Sequence, residues 1–176
     1  SLLRVMDMER LMDAIRAHFC VADDAEITLE SNPGTLDFEK LAGYRRAGIN
    51  RLSMGLQSAC DKELAMLGRI HNFDTFVQNY KQARRAGFEN INVDLMSALP
   101  GQTVESWEQT LVKTAELAPE HLSAYSLIIE EGTPFWNWYG EDANQTLRPK
   151  EMLPLPSEED ERRMYARTRE ILEQYG

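Results

Sequence analysis

The sequence predicts an α/β fold built on a parallel sheet, either open or closed into a barrel. Segments with helical and with strand-like apolar patterns alternate four times, at spacings of roughly 30 to 40 residues. The chain also contains an internal repeat, because the letters Arg-Arg-Ala-Gly begin at Arg45 and again at Arg84, 39 residues later, each time before a strand-like segment. Such alternation is typical of parallel strands joined by right-handed helical crossovers.

The first part of the chain shows two helix–strand units. An apolar stripe predicts a helix over residues 8–19, and alternation with β-branched members predicts a strand over residues 26–30. Asp37 is suited to cap a second helix that ends at Gly48, and residues 50–56 form the second predicted strand. The stripe of the first helix consists of Met8, Leu11, Met12, Ile15 and Phe19.

Two further units follow, and then the pattern changes. A stripe that includes Phe76 predicts the helix before the third strand, and the helix that starts after Thr103 precedes the fourth strand, at residues 121–129. Residues 130–138 open a predicted loop, and Ser157 is suited to cap a last helix.

Composition excludes several classes of function. The 176 residues, 43% apolar and 27% charged, suit one globular domain with its own core. A net charge of −10 disfavours non-specific binding to nucleic acids and anionic membranes, and no apolar run approaches the ~18–20 residues of a membrane span. Two cysteines, Cys20 and Cys60, make neither a disulfide framework nor a zinc site, so we expect a cytoplasmic protein with reduced thiols. The chain lacks an initiator Met, and we expect it to be part of a longer protein.

Polar side chains follow the predicted strands at their carboxyl ends, where parallel α/β sheets form their sites. Glu30 stands at the end of the first strand, Gln57 follows the second and Asp94 ends the third. Arg69 lies beyond the second strand. Carboxylates accept from ribose hydroxyls or pair with an ammonium group, and an arginine holds a carboxylate through two parallel bonds. This set favours a zwitterionic ligand that carries a ribose.

Other interpretations of these residues stay open. Glu30 could bond only to neighbouring backbone amides, Asp94 could face a helix, and Arg69 could simply neutralise nearby acids. The sequence shows no metal-ligand spacing, no nucleophile beside a base and no phosphate loop. We therefore predict neither a catalytic side chain nor a metal site within this chain.

Five motifs carry a resemblance to a known family. They are Glu-Ser-Asn-Pro-Gly-Thr at residues 30–35, Asn-Arg-Leu-Ser-Met-Gly-Leu-Gln at 50–57, Leu-Gly-Arg-Ile-His at 67–71, Asn-Ile-Asn-Val-Asp-Leu-Met at 90–96 and Leu-Pro-Gly-Gln-Thr at 99–103. Together they resemble the oxygen-independent coproporphyrinogen III oxidase family of radical SAM proteins, over nearly all of residues 1–135. The segment Glu-Glu-Gly-Thr-Pro at 130–134 also resembles the oxidase-like branch that contains haem chaperones.

The resemblance implies a partial (β/α) radical SAM barrel, namely strands three to six of six, with the helices outside. We expect residues 1–139 to form this partial barrel, residues 140–156 an exposed loop and residues 157–176 a helix of the same domain. Missing strands would leave an open sheet edge, which predicts a homodimer through that edge. One departure from the family is Ser97-Ala98, where relatives often carry Tyr-Gly before Leu-Pro.

The resemblance also implies two cofactors for the full-length protein. Family members hold a [4Fe–4S] cluster through a Cys-x3-Cys-x2-Cys loop, and the cluster binds S-adenosylmethionine (SAM) and cleaves it reductively. No segment here matches that loop, so we expect no cluster in this chain. The positions that match the family's SAM contacts are Glu30, Gln57, Arg69, Asp94 and, on the adenine side, Ile128.

The function implied for the full-length protein is that of a haem chaperone, with haem or a porphyrin as its partner. A true coproporphyrinogen III oxidase, which decarboxylates propionates, is the alternative within the family. A cluster-free barrel enzyme using Glu30 and Asp94 as acid and base, or a binding module without catalysis, stays open outside it. We expect this chain by itself to be inactive.

Overall fold

The computed structural model describes residues 2–141, 143 and 148–176, and helices and strands alternate along them. The elements in chain order are α1 (Val5–His18), β1 (Thr28–Ser31), α2 (Phe38–Ala47), β2 (Arg51–Gln57), α3 (Asp61–Met66), α4 (Phe73–Arg85), β3 (Asn90–Ser97), α5 (Val104–Ala115), β4 (His121–Ser126), α6 (Pro134–Tyr139) and α7 (Glu158–Leu172).

The four strands form one parallel sheet in the order β1-β2-β3-β4, which confirms the α/β prediction. β1 pairs with β2 so that Glu30 lies opposite Ser53 and Ser31 lies opposite Met54. β2 is buried from its second residue to its last, as expected of a parallel strand covered on both faces. Successive side chains along each strand point to opposite faces, so the register decides which polar groups share a face.

Five of the described helices begin at side chains that cap them. Asp37, Asn72, Thr103, Thr133 and Ser157 each accept a hydrogen bond from the backbone N–H three residues further on. At the start of α5 the hydroxyl of Ser106 also accepts from the N–H of Thr103, which completes a capping box. The sequence-based caps at Asp37 and Ser157 are therefore confirmed.

The chain divides into two compact units. The first comprises Ser1–Leu56, Ile70–Asp94 and Ala118–Ser123, and in it α2 packs against α1 and α4 around a core that includes Tyr44 and Phe76. The second unit comprises the remaining residues, and in it α5 packs against α7, where Nε1 of Trp107 donates to the hydroxyl of Thr168 at 2.9 Å.

The boundaries expected at residues 139 and 156 stay a prediction. Residues 142 and 144–147 of the expected loop lie outside the described residues. Within the part of the chain that the structure describes, no helix combines the length and apolar character needed to cross a bilayer.

Arginines near the ends of three helices account for the repeated Arg-Arg-Ala-Gly. Each arginine donates to a backbone carbonyl within the first unit. Ala47 and Gly87 lie at and just beyond the ends of α2 and α4, where the negative end of the helix dipole favours a cation. The bonds run from Arg16 to Ala47, from Arg45 to Gly87 and from Arg84 to Ala118, at 2.9, 3.0 and 2.8 Å. The repeat therefore marks equivalent helix ends.

Two local features differ from the sequence prediction. β4 ends at Ser126 rather than at residue 129, so Ile128 lies beyond the strand. The predicted loop at 130–138 contains the short helix α6, because Thr133 caps it through the N–H of Trp136 and Pro134 occupies its first turn. Proline suits that position since its fixed φ is already helical and its missing N–H would have no helical partner there.

Candidate functional site

Asp94 lies within β3, and both oxygens of its half-buried carboxylate accept hydrogen bonds in the first unit. The hydroxyl of Ser53, on β2, donates to Oδ2 at 2.9 Å, and Nδ2 of Asn92 donates to Oδ1 at 2.8 Å. Nδ2 of Asn92 also donates to Oγ of Ser53 at 2.8 Å, and Oδ1 of Asn92 accepts from the hydroxyl of Ser123, on β4, at 3.0 Å. Three neighbouring strands therefore orient this carboxylate.

Glu30 lies on the same face of the sheet as this network. It pairs in register with Ser53, and partners in a parallel register point to one face. The Glu30 side chain is exposed, and β2 separates it from Asp94, which puts the two backbones about 10 Å apart at ordinary strand spacing. The two carboxylates are thus acceptors on one face rather than a directly bonded pair.

Gln57 ends β2 and belongs to the second unit. Its side chain is only 4% exposed, and its Oε1 accepts a hydrogen bond of 3.1 Å from the hydroxyl of Tyr125, on β4. The backbone of Gln57 has a φ of 73°, a left-handed conformation that costs a non-glycine residue about 1–2 kcal/mol. Strain of this kind persists where the surrounding structure fixes the residue, and it is often found at functional sites.

Arg69 and Ile128 also belong to the second unit. Arg69 follows α3, where its backbone N–H donates to the carbonyl of Leu64 at 3.0 Å, and its side chain is partly exposed. Ile128 is 76% exposed, two residues beyond the end of β4. Exposure of a large apolar side chain beyond a strand end makes it available to the flat face of a ligand ring.

Glu63 is a buried carboxylate that the sequence analysis missed. It lies in α3, is 5% exposed, and accepts from Ser58 at 2.6 Å, from Gln102 at 2.9 Å and from Ser106 at 2.9 Å. Its partners include the loop of the Leu-Pro-Gly-Gln-Thr motif and the first turn of α5. No local pattern marks Glu63, because Gln102 and Ser106 are 39 and 43 residues away in the sequence.

Metal ligands are not grouped in the described residues. Among them, no cluster of His, Cys, Asp or Glu side chains could hold a metal ion, and Cys20 and Cys60 are both free thiols. The described residues thus contain no preformed group of metal ligands. They do offer two carboxylate acceptors, Asp94 and Glu30, of the kind that ribose hydroxyls and an ammonium group require.

The chain can be assigned to a family by comparison with known proteins. The model of the radical SAM superfamily matches residues 2–113. The chain therefore belongs to the radical SAM superfamily, and the expectation from its motifs is confirmed.

Individual relatives narrow this assignment. The haem chaperone HemW of Escherichia coli strain K12 is 44% identical over 135 residues, which make up 77% of this chain and 36% of HemW. HemW of Bacillus subtilis strain 168 is 38% identical over 170 residues, 96% of this chain and 42% of that protein. The chain thus spans 36–42% of the length of these two relatives.

The fold has a solved counterpart. Coproporphyrinogen III oxidase (HemN) from Escherichia coli, a radical SAM enzyme, superimposes with a TM-score of 0.82 and 30% identity, over 99% of this chain and 38% of HemN. The prediction of a partial radical SAM barrel is confirmed by this similarity. The two haem chaperones are more similar in sequence to this chain than the oxidase is, as the Glu-Glu-Gly-Thr-Pro segment predicts.

Proposed function

We propose that the full-length protein is a radical SAM haem chaperone, and that this chain supplies one wall of its SAM site. The observation that carries this proposal is the Asp94 carboxylate, held within β3 by donors from β2 and β3 of a parallel sheet. Two relatives at 44% and 38% identity are haem chaperones, which supports the function of the whole protein.

In this proposal five residues contact SAM. Asp94 and Glu30 accept hydrogen bonds from the ribose hydroxyls and the ammonium group, because a carboxylate has only acceptors to offer. Gln57 donates through its amide, Arg69 pairs with the carboxylate of SAM, and Ile128 packs against the adenine. When bound, a reduced cluster and SAM would together supply radical chemistry, and the residues of this chain would hold and orient the SAM molecule.

The first test is calorimetric. We expect the full-length protein, reconstituted with its cluster under anaerobic conditions, to bind SAM with a measurable heat. We also expect this chain alone to keep weak binding, detectable at millimolar SAM. Absence of heat from the reconstituted full-length protein would contradict the proposed function.

The second candidate function is the oxidative decarboxylation of coproporphyrinogen III. It is favoured by the structural similarity to HemN, at a TM-score of 0.82. A haem titration of the full-length protein separates the two functions, because a chaperone binds haem stoichiometrically and leaves coproporphyrinogen III unchanged. Decarboxylation without haem binding would favour the oxidase. Acid–base catalysis by Glu30 and Asp94 alone has less support, since β2 lies between them.

Two further properties belong to this proposal. We expect this chain by itself to form a homodimer through the edge of β1, which pairs only with β2 among the described strands. Sedimentation analysis of this chain tests the expected dimer, and a monomer at high concentration would contradict it.

A cytoplasmic location is supported by the two free thiols, which suit a reducing compartment, and cell fractionation tests that expectation.

A further inference from the structure

The hydrogen bonds around Asp94 have only one consistent direction. A carboxylate cannot donate, so the single proton of the Ser53 hydroxyl goes to Oδ2 of Asp94, at 2.9 Å. The oxygen of Ser53 then accepts from Nδ2 of Asn92, at 2.8 Å, and the second proton of that amide goes to Oδ1 of Asp94, also at 2.8 Å. Two of these three protons therefore go to the carboxylate, and the third goes to the Ser53 oxygen, whose own proton Asp94 accepts.

The amide of Asn92 is fixed by its far end as well. Its Oδ1 accepts from the hydroxyl of Ser123 at 3.0 Å, and turning the amide over would place its single oxygen, which can only accept, against the Asp94 carboxylate, which also only accepts. Asn92 is 3% exposed and Ser53 is 8% exposed, so water cannot readily replace these partners. Buried polar groups need their bonds made, which holds the whole group in one arrangement.

The carboxylate that receives these bonds remains accessible. Asp94 is half-buried, and each of its oxygens keeps lone-pair capacity beyond the one bond it accepts here. A ligand that donates to Asp94 therefore meets a carboxylate whose rotation has already been stopped. Binding is tighter when a group does not have to be ordered at the moment of association.

We infer that Ser53 and Asn92 are positioning residues for the SAM site, acting through Asp94 and touching no ligand themselves. The inference rests on the proposed function, since it concerns the affinity for SAM. It goes beyond that function by assigning a role to two residues on different strands that the family resemblance does not mark as SAM contacts.

The test compares two buried serines in the same sheet. In Ser53→Ala the carboxylate loses one donor, and we expect the dissociation constant for SAM of the reconstituted full-length protein to rise about tenfold, as for loss of one bond to a charged group. Ser31→Ala is the matched control, because Ser31 is 5% exposed and its hydroxyl donates to the Ser53 carbonyl, at 3.3 Å, rather than to Asp94. We expect that control to change the dissociation constant less than twofold.

A second comparison, made in the Asp94→Asn variant, distinguishes an effect of Ser53 on the Asp94 carboxylate from a general effect on packing. In an Asp94→Asn protein the carboxylate is gone, so adding Ser53→Ala should raise the dissociation constant less than twofold. If Ser53→Ala does not fold, Ser123→Ala replaces it, because Ser123 is half-buried and tolerates substitution better. We expect Ser123→Ala to raise the dissociation constant for SAM two- to threefold, since Asn92 loses the bond that fixes its amide.

The outcomes are distinguishable. A tenfold loss in Ser53→Ala that disappears in the Asp94→Asn background supports the inference. An unchanged affinity in Ser53→Ala, or an equal loss in both backgrounds, overturns it while leaving the proposed function standing. Wild-type protein that does not bind SAM overturns the proposed function and the inference with it.

Discussion

The hydroxyl of Tyr125 donates to Oε1 of Gln57 at 3.1 Å, and this bond holds a glutamine whose backbone φ is 73°. Because Tyr125 occupies the amide oxygen, the Nε2 group is the part of the side chain left to donate elsewhere. A tyrosine on β4 thus sets which end of Gln57 a ligand meets.

Replacing Tyr125 by Phe tests this relationship. We expect the dissociation constant for SAM to rise about three- to fivefold, since the amide becomes free to turn over when its oxygen loses a donor. Calorimetric titration of the reconstituted full-length protein measures it. Tyr165→Phe is the matched control, because Tyr165 is 82% exposed on α7. Equal affinities in both variants would show that Tyr125 does not orient Gln57.

Replacing Ala98 by Gly is expected to stabilise the protein. Ala98 is 7% exposed and has a φ of 59°, which penalises a side chain by about 1–2 kcal/mol and glycine hardly at all. After the greater unfolded-state entropy of glycine is subtracted, a gain of about 0.5–1 kcal/mol remains in the free energy of unfolding. Urea denaturation measures it.

The control for this change is Ala59→Gly. Ala59 is buried to a similar extent, 6% exposed, but is not among the described residues with positive φ. We expect it to lose about 1 kcal/mol, the usual cost of a glycine where none is required. A loss in both variants would contradict the strain assigned to Ala98.

Removing the carboxylate of Glu63 is expected to destabilise the protein strongly. Glu63→Ala leaves the buried donors of Ser58 and Gln102 without their acceptor, which costs about 2–4 kcal/mol of unfolding free energy. Glu105→Ala, at an exposed position in the first turn of α5, should change that energy by no more than about 0.5 kcal/mol. Comparable losses in the two variants would rule out a special role for Glu63.

Glu120 makes part of the stability depend on pH. Burial raises the pKa of its carboxyl, but the hydrogen bonds from Arg84 and from the N–H of Ile91 outweigh burial and hold that pKa below its ordinary value of 4.5. A lowered pKa in the folded state stabilises the protein above pH 4.5, and this contribution is lost as the pH falls further. The pair is partly exposed, so the effect is below about 1 kcal/mol.

The variant Glu120→Gln checks this pH dependence. At pH 7 we expect it to unfold at a lower temperature than wild type, and at pH 3 the difference should shrink. The exposed Glu116→Gln serves as its control. A difference in melting temperature that stays constant from pH 7 to pH 3 would contradict the lowered pKa.

The fold could be predicted largely from local patterns. Alternating helices and strands, the caps at Asp37 and Ser157, and the Arg-Arg-Ala-Gly repeat all depend on residues close together in the sequence. The short helix α6 was missed because Pro134 indicates a loop as readily as a first helical turn.

The interactions within the candidate site were less accessible to sequence reasoning. Ser53 and Asp94 are 41 residues apart and meet only because β2 and β3 are neighbours in the sheet. The spacing of Asn92 and Asp94 was a usable signal, since residues two apart in a strand share a face. The direction of the bonds and the burial of Glu63 required the three-dimensional structure.

The most direct test of SAM binding at Asp94 is a pair of titrations. Asp94→Asn and Asp74→Asn make the same chemical change, in β3 and on the exposed surface of α4 respectively. In the reconstituted full-length protein we expect the first to raise the dissociation constant for SAM at least tenfold and the second to leave it unchanged within twofold. Equal dissociation constants for wild type and both variants would contradict a SAM site at Asp94.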